Sequence, residues 1–438
     1  GKTTGPRTKT RNRLWRPVGT GLNSDPRPRA RHRRASATAR RGPLPSPNGM
    51  ITPFLRGWTS ADWVGTDGSP ADGGGVLQTT GCERPVHPSR EPDLEQDPLV
   101  VAWEVTRACG YRCRHCRADA RPRPLPGQLD AAEGGRLVDD LARFRNAILV
   151  LTGGDPMLRP DLEDLVARAA GQGLRVALTP SATARVTPAR LTALRVAGVG
   201  QMAISLDGAD PETHDAMRGV RGSFVRTLRI AAAVREAGFG LQVNSTVTRA
   251  GAGALEAMAA RVAATGATMW SVFFLVPTGR AQRADMLDAA GHEAALRRLV
   301  GMRSGLPMRL KVTAAPAVRR VEAQMAAEGL VPTPSRPLPV NDGRGFMFVS
   351  HDGRVSPSGF LPLEAGDVRD ASAVDLYRTA PLFRALRDET RLRGRCGRCS
   401  WRALCGGSRA RAYALTGDPL GEEPTCPYQP EEATPCST

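Results

Sequence analysis

Between Leu99 and Pro277 the sequence alternates, six times over, a short β-branched run with a helix-forming stretch, and this alternation restricts the fold more than any other feature. The runs are LVVAWEVTR (99–107), AILVLTGG (147–154), RVALTPS (175–181), QMAISLDG (201–208), LQVNSTVTR (241–249) and MWSVFFLVP (269–277). Each is apolar nearly throughout, as expected of strands covered on both faces, and intervening segments such as AAEGGRLVDDLARF (131–144) read as crossover helices. Right-handed crossovers curl a parallel sheet towards a barrel. Six units predict an α/β fold, a partial (β/α)6 TIM-like barrel whose open side admits a large substrate. Polar residues collect at the strand ends, in TGGDP, TPS, SLDG, NSTVTR and PTGR, the end at which a β/α barrel carries its chemistry.

Beyond the sixth unit MRLKVTAAP (308–316) offers a further strand, a helix is expected near Ala317–Glu328, and four prolines in GLVPTPSRPLPV (329–340) mark a linker. FMFVSHDGRVSPSG (346–359) then reads as a hairpin turning at Asp352-Gly353. The chain thus divides into a basic extension (1–96), a barrel core (97–328), a linker (329–340), a small C-terminal domain organised by metal (341–430) and a tail (431–438).

The net charge of +18 is concentrated in one place, because residues 1–50 carry 13 Lys/Arg against the single Asp25. The remaining 388 residues hold 48 basic and 42 acidic side chains, an ordinary balance for an enzyme. Gly1–Arg90 is rich in Arg, Pro, Gly and Ser without a sustained period, so disorder is expected there, with Met50 a candidate start. A basic run without a recognisable fold argues weakly for nucleic acid, which is not an expected partner. The longest apolar run, Met269–Pro277, falls short of the ~20 residues that span a bilayer, and no segment suits a secretory signal. A cytoplasmic protein without a membrane partner is expected.

Seven of the nine cysteines fall in two tight groups, which in such a compartment points to metal or redox chemistry; Cys82 and Cys436 stand apart as structural or incidental. Cys109-x3-Cys113-x2-Cys116 lies in the loop leaving the first strand. A closed site wants four protein ligands, whereas a four-iron cluster held by three leaves one iron open. Arg107, Arg112, Arg114 and Arg117 are expected to favour the ionised thiolates. Zinc with His115 as fourth ligand is the alternative, although the spacing suits it poorly. Cys396-x2-Cys399-x5-Cys405-x20-Cys426 supplies four ligands and closes a site, as an iron-sulfur cluster or a zinc ribbon.

The first spacing, with His immediately before the last Cys, resembles the signature of the radical S-adenosylmethionine (SAM) superfamily. The resemblance implies that Cys109, Cys113 and Cys116 hold a 4Fe-4S cluster whose open iron chelates SAM. An electron, from a donor such as flavodoxin or ferredoxin, then breaks the sulfur–C5′ bond to give a 5′-deoxyadenosyl radical that abstracts hydrogen. His115 is implied to lie near the adenine. Thr152-Gly153-Gly154-Asp155-Pro156 resembles the family's Gly-Gly-Glu-Pro motif, whose backbone meets the methionyl amine, with Asp155 in place of Glu and the glycines permitting close approach. By the same analogy Thr179, Ser181, Ser205, Asp207 and Asn244 face the SAM ribose and carboxylate. HDAMRG (214–219) contributes Arg218, a candidate for two-bond carboxylate pairing.

The second group, with CGGSRARAYALTGDPL (405–420), resembles the SPASM-type extension of radical SAM proteins. The full pattern has seven cysteines; here Ser358 and Arg409 stand at two ligand positions, implying one auxiliary 4Fe-4S cluster on Cys396, Cys399, Cys405 and Cys426. This spacing, the Gly-Gly-Ser-Arg run and VNDGRGFMFVSHDG (340–353) resemble the reduced domain of the radical SAM proteins of haem d1 and alternative haem synthesis, which modify porphyrin propionates. The likeness covers about residues 97–430. The expected activity is that of an oxidoreductase or maturase acting on a tetrapyrrole side chain. Its rival is a ribosomally made peptide that acquires a thioether or carbon–carbon crosslink. A non-enzymatic zinc and nucleic-acid-binding protein is the third class.

Overall fold

The computed structural model describes residues 92–334 and 338–430; the extension before residue 92, with Cys82, and the tail after 430, with Cys436, lie outside them. Seven parallel strands lie side by side in chain order: β1 (Val100–Thr106), β2 (Ile148–Gly153), β3 (Arg175–Leu178), β4 (Val199–Ser205), β5 (Gly240–Val247), β6 (Met269–Phe274) and β7 (Arg309–Thr313). The crossovers hold α1 (Ala131–Leu141), α2 (Leu162–Gly171), α3 (Pro188–Ala197), α4 (Pro211–Arg218), α5 (Ser223–Glu236), α6 (Leu255–Ala264) and α7 (Ala289–Met302), and α8 (Val318–Ala327) follows β7. The six expected units form the partial barrel, and the run around Leu310 adds the seventh strand.

Local chemistry sets the helix starts. Asp130 and Glu133 satisfy each other's backbone N–H groups in a capping box before α1. Thr187 before Pro188 and Asp210 before Pro211 pair a capping oxygen with a residue that needs no N–H donor. Gly198 and Gly219, at φ 115° and 67°, end α3 and α4 in the left-handed region. Among the described residues no helix is long and apolar enough to cross a membrane.

Strand β1 is buried along its whole length because it has a neighbour on each side. One is β2; the other is β8 (Phe346–Val349), which pairs with β1 in parallel through Val100↔Phe346 to Trp103↔Val349. The hairpin expected at Asp352-Gly353 forms between β8 and β9 (Arg354–Ser356), and β10 (Gly366–Asp367) completes a ten-stranded sheet of order β10-β9-β8-β1-β2-β3-β4-β5-β6-β7. The C-terminal segment expected from residue 341 opens by continuing the barrel sheet, which satisfies the edge of β1.

Residues just before the expected boundary at residue 96 also make contacts with the C-terminal helices. Leu94 is buried, its carbonyl accepts the Tyr377 hydroxyl at 2.6 Å, and the Glu95 and Gln96 carbonyls accept Arg387 and Arg378 at 3.0 Å each. These partners lie on α9 (Ala373–Thr379) and α10 (Pro381–Arg387). Residues 92–96 thus belong to the folded unit, their backbone oxygens satisfied by C-terminal side chains.

Candidate functional site

The cysteine loop starts where the β1–β2 register breaks, between Glu104 and Thr106. Gly154 N–H donates to the Thr106 carbonyl at 2.8 Å and Asp155 N–H to the Ala108 carbonyl at 2.7 Å. A Cβ on Gly153 would stand 2.1 Å from the Thr106 oxygen, and one on Gly154 2.3 Å from that of Ala108. The glycine pair therefore makes room for the base of the cysteine loop, a role the motif alone did not suggest. Asp155 is fully buried and accepts from Met157 N–H at 3.2 Å, Ser181 N–H at 3.3 Å and the Thr183 hydroxyl at 2.9 Å. It ties the exit of β2 to that of β3, while Pro156 opens a short 3-10 turn.

The turn after β6 clamps the loop from the other side. Arg280 donates to the carbonyls of Cys113 at 2.9 Å and Ala120 at 3.0 Å and to the Asp119 carboxylate at 3.2 Å, while its N–H reaches the Cys116 carbonyl at 3.0 Å. Sequence reasoning left Arg280 unassigned; the polar exit PTGR was the available signal.

Cys109, Cys113 and Cys116 line one cavity of about 190 Å³ with His115, Gly153, Gly154, Thr179, Ser181, Ser205 and Arg218. Asp155, Pro156, Asp207 and Asn244 are not on its wall. Asp207 is buried behind it, accepting from Arg218 at 3.1 Å and Thr246 N–H at 2.9 Å, and lies 3.5 Å from His115 Nε2. Asn244 faces a deeper cavity.

Burial raises the Cys109 thiol and pushes Cys113 up to about 11. The arginines expected to ionise them are turned elsewhere: Arg117 pairs with Glu104 at 2.8 Å, Arg114 with Asp285 at 3.5 Å, Arg107 reaches the Ala118 carbonyl, and Arg112 is exposed. Arg218 is the guanidinium that acts on Cys113. Ionising such thiols calls for a cation bound directly to sulfur.

Among the described residues no three His, Cys, Asp or Glu side chains converge tightly enough to hold a single ion. The three thiols instead ring a space, which suits a cluster of several atoms. Three buried nitrogens without hydrogen-bond partners, His115 Nδ1, Arg218 Nε and Arg280 Nη2, belong to side chains on the same wall. An acceptor-rich ligand, such as SAM with its carboxylate, hydroxyls and purine nitrogens, would satisfy them. Burial pushes His115 below its ordinary value against the pull of Asp207, leaving a neutral ring.

Cys396, Cys399, Cys405 and Cys426 line a second, smaller cavity of about 30 Å³. Cys396 Sγ accepts Glu423 N–H at 3.4 Å and Arg409 Nη2 at 3.7 Å, and burial pushes the Cys405 thiol up to about 12. Arg409, 1% exposed, also donates to the carbonyls of Gly407 at 3.2 Å, Pro419 at 3.1 Å and Gly421 at 2.6 Å. The Ser358 hydroxyl accepts Phe360 N–H at 3.2 Å within a turn. Where a seven-cysteine pattern has ligands, this chain has a sealed cation and a turn, which fits one auxiliary cluster.

A third cavity, of about 260 Å³, occupies the barrel interior and shares wall residues Arg117, Thr152, Thr179, Phe273 and Phe360 with the first. It exists because the strands present Ala102, Ala177, Ala203 and Ser271 inward, where a closed β/α barrel packs bulky branched residues. Asn341 lies on its wall and donates to the carbonyls of Cys405 at 3.2 Å and Gly407 at 2.8 Å, so this cavity abuts the second cysteine group.

The sequence pattern of the Radical SAM superfamily matches residues 103–249. The chain is 39% identical over 346 residues to the AdoMet-dependent heme synthase of Nitratidesulfovibrio vulgaris, across 77% of this chain and 94% of that protein. It is 31% identical over 343 residues to the mycofactocin maturase of Mycobacterium tuberculosis, across 75% of this chain and 83% of that one. Streptococcus suis SuiB, solved with its precursor peptide SuiA, shares the fold at a TM-score of 0.60 and 15% identity over 76% of each chain. The fold, the three-thiol loop at the barrel mouth and the extent of these likenesses agree: the chain belongs to the radical SAM superfamily, whose enzymes use a 4Fe-4S cluster and SAM.

Proposed function

We propose that this radical SAM enzyme oxidatively modifies a side chain of a tetrapyrrole held inside the barrel. The observation that carries the reading is the hollowed interior: small residues on β1, β3, β4 and β6 leave room beside the three-thiol cavity, and Phe346 and Phe348 offer flat apolar surface to a macrocycle. The 39% identity to an AdoMet-dependent heme synthase supports the same substrate class. Identity to the mycofactocin maturase, at 31%, favours a ribosomally made peptide as the second reading.

In this reading Cys109, Cys113 and Cys116 hold the first cluster and Cys396, Cys399, Cys405 and Cys426 the auxiliary one. With SAM bound, the first cluster would supply the one-electron reduction that starts hydrogen-abstracting radical chemistry. His115 presents a neutral ring to the adenine. Arg218, held by Asp207, offers its free Nε to SAM acceptors, and Ser181, Ser205 and Thr179 supply hydroxyls. Phe273, Phe274 and Leu275 close the wall with apolar surface that keeps water from a radical. The reaction runs in the cytoplasm on electrons from a flavodoxin or ferredoxin.

Anaerobic protein reconstituted with iron and sulfide, then given reductant, SAM and a propionate-bearing iron porphyrin, is expected to form 5′-deoxyadenosine together with a porphyrin of altered mass. Replacing the three loop cysteines with Ala should abolish both. An unchanged porphyrin, with crosslinking of a precursor peptide instead, would transfer the assignment to the second reading.

A further inference from the structure

We infer that the outer face of the cysteine loop is the docking surface for a small acidic one-electron carrier, received by Arg112, Arg114, Arg221 and Arg226 directly over the three-thiol site. The inference rests on the reading that such a carrier supplies the electron, and it names the surface at which the electron enters.

Residues 107–123 carry six arginines against the single Asp119. Arg107 and Arg117 are engaged within the protein, at the Ala118 carbonyl and at Glu104. Arg112 and Arg114, on either side of Cys113 in sequence, face solvent instead: Arg112 is exposed, and the Arg114 side chain is 66% exposed. The last turn of α4 brings further cations to the same face. Arg114 N–H donates to the Met217 carbonyl at 2.9 Å, and Gly219 packs so tightly that a Cβ there would stand 2.6 Å from the Arg112 oxygen. The turn that follows carries the exposed Arg221, and α5 carries Arg226, whose Nη1 donates to the Tyr111 hydroxyl at 3.3 Å.

The nearby acids are spent elsewhere. Asp215 accepts from Gly222 N–H at 2.5 Å, the Ser223 hydroxyl at 2.8 Å and Phe224 N–H at 2.8 Å. Glu212 lies in the first turn of α4, whereas the loop meets the last. Asp285 stands 3.5 Å from Arg114, the one ion pair on this face. Like charges set side by side repel, and a partner of opposite sign both relieves the repulsion and is steered to the spot. Cys113 lines the three-thiol cavity, so only the loop itself separates the thiols from the cations bonded to either side of that residue. That placement serves a carrier, which gains from standing close to the first cluster, and offers nothing to a nucleic acid. The transfer moves one electron from the carrier to the first cluster, oxidising the one and reducing the other, with no bond made or broken.

The test uses the anaerobic holoenzyme with an acidic flavodoxin or ferredoxin; calorimetry reads affinity, and 5′-deoxyadenosine formed from SAM reads electron delivery. Wild-type affinity should fall several-fold as salt rises from about 30 mM to about 300 mM. At the lower salt, Arg112→Glu/Arg221→Glu should cost about tenfold or more in affinity and in carrier-driven product, and leave dithionite-driven product within about twofold of wild type. Arg391→Glu/Arg402→Glu, which reverses exposed charges on the four-thiol side, should leave all three within about twofold. An equal loss with dithionite, an unchanged response to the carrier, or a loss that follows the four-thiol variant instead overturns the docking surface and leaves the carrier as the electron source. Salt-independent wild-type binding overturns it without any substitution. If a duplex oligonucleotide displaces the carrier from wild type and fails to bind the loop variant, the surface belongs to a nucleic acid and the inference falls. If wild type takes electrons from dithionite but from neither carrier, the carrier reading fails and the surface with it.

Discussion

Arg409 donates to Cys396 Sγ from a fully enclosed position, and in the proposed reading, where Cys396 holds the auxiliary cluster, a cation hydrogen-bonded to that sulfur stabilises the more negative, reduced state. Arg409→Gln is expected to shift the auxiliary cluster to a more negative midpoint potential, Arg409→Lys to shift it less, and both to leave the first cluster where it was. A redox titration followed by electron paramagnetic resonance reads this, and an unmoved potential at full iron content would reduce Arg409 to a structural support. That the cysteines gather in two groups was legible, because spacing is a local property. Their supports were not: Arg280 reaches the Cys113 carbonyl across 167 positions of sequence, and Asp155 reads as a cofactor contact until Thr183 is seen to occupy its oxygen.

Helix α4 carries a pH dependence that its sequence conceals. His214 Nδ1 accepts Asp207 N–H at 3.1 Å, and burial pushes the ring down to about 4; His292 on α7, buried beside Arg411, is pushed down to about 3. Each folded value lies below the ordinary 6.5, so below that pH the unfolded chain takes up protons that the folded chain refuses. The stabilisation is intact above pH 6.5 and is lost as pH falls towards 4. Between pH 7.5 and 5.5 each ring should cost about 1 kcal/mol of stability. Anaerobic urea unfolding of the holoenzyme at the two pH values is expected to show a loss smaller by about that amount in His214→Gln; an identical loss in the variant would mean that the ring protonates in place. The segment HDAMRG had drawn notice for Arg218 alone, since nothing in the sequence shows that His214 is buried under Asp207. Strand positions were plainer, because apolar runs mark strands wherever they sit. Their neighbours were not: Val100 meets Phe346, and no local pattern encodes so distant a pairing.

At the scale of the molecule, barrel and auxiliary-cluster region share one sheet, with β8 laid against the first strand of the barrel. A chain ending at Leu330 would keep every barrel strand yet leave β1 as a bare edge along Val100–Trp103. Such a truncation is expected to collect in the insoluble fraction. A soluble, iron-loaded fragment would show that the barrel stands without the C-terminal segment. The six-unit repeat made the barrel readable, whereas the proline-rich stretch at 329–340 suggested a joint between separate bodies, because prolines report only that regular structure pauses.

The pairing of β8 with β1 also fixes an order of events during synthesis. β1 leaves the ribosome before the rest of the barrel, yet one of its two neighbours is made after all seven barrel strands. Until Phe346–Val349 emerges, the nascent chain exposes the Val100–Trp103 edge of the strand that leads into the cysteine loop. Completion of the sheet, and with it the covering of the first barrel strand, thereby waits on synthesis of the C-terminal segment.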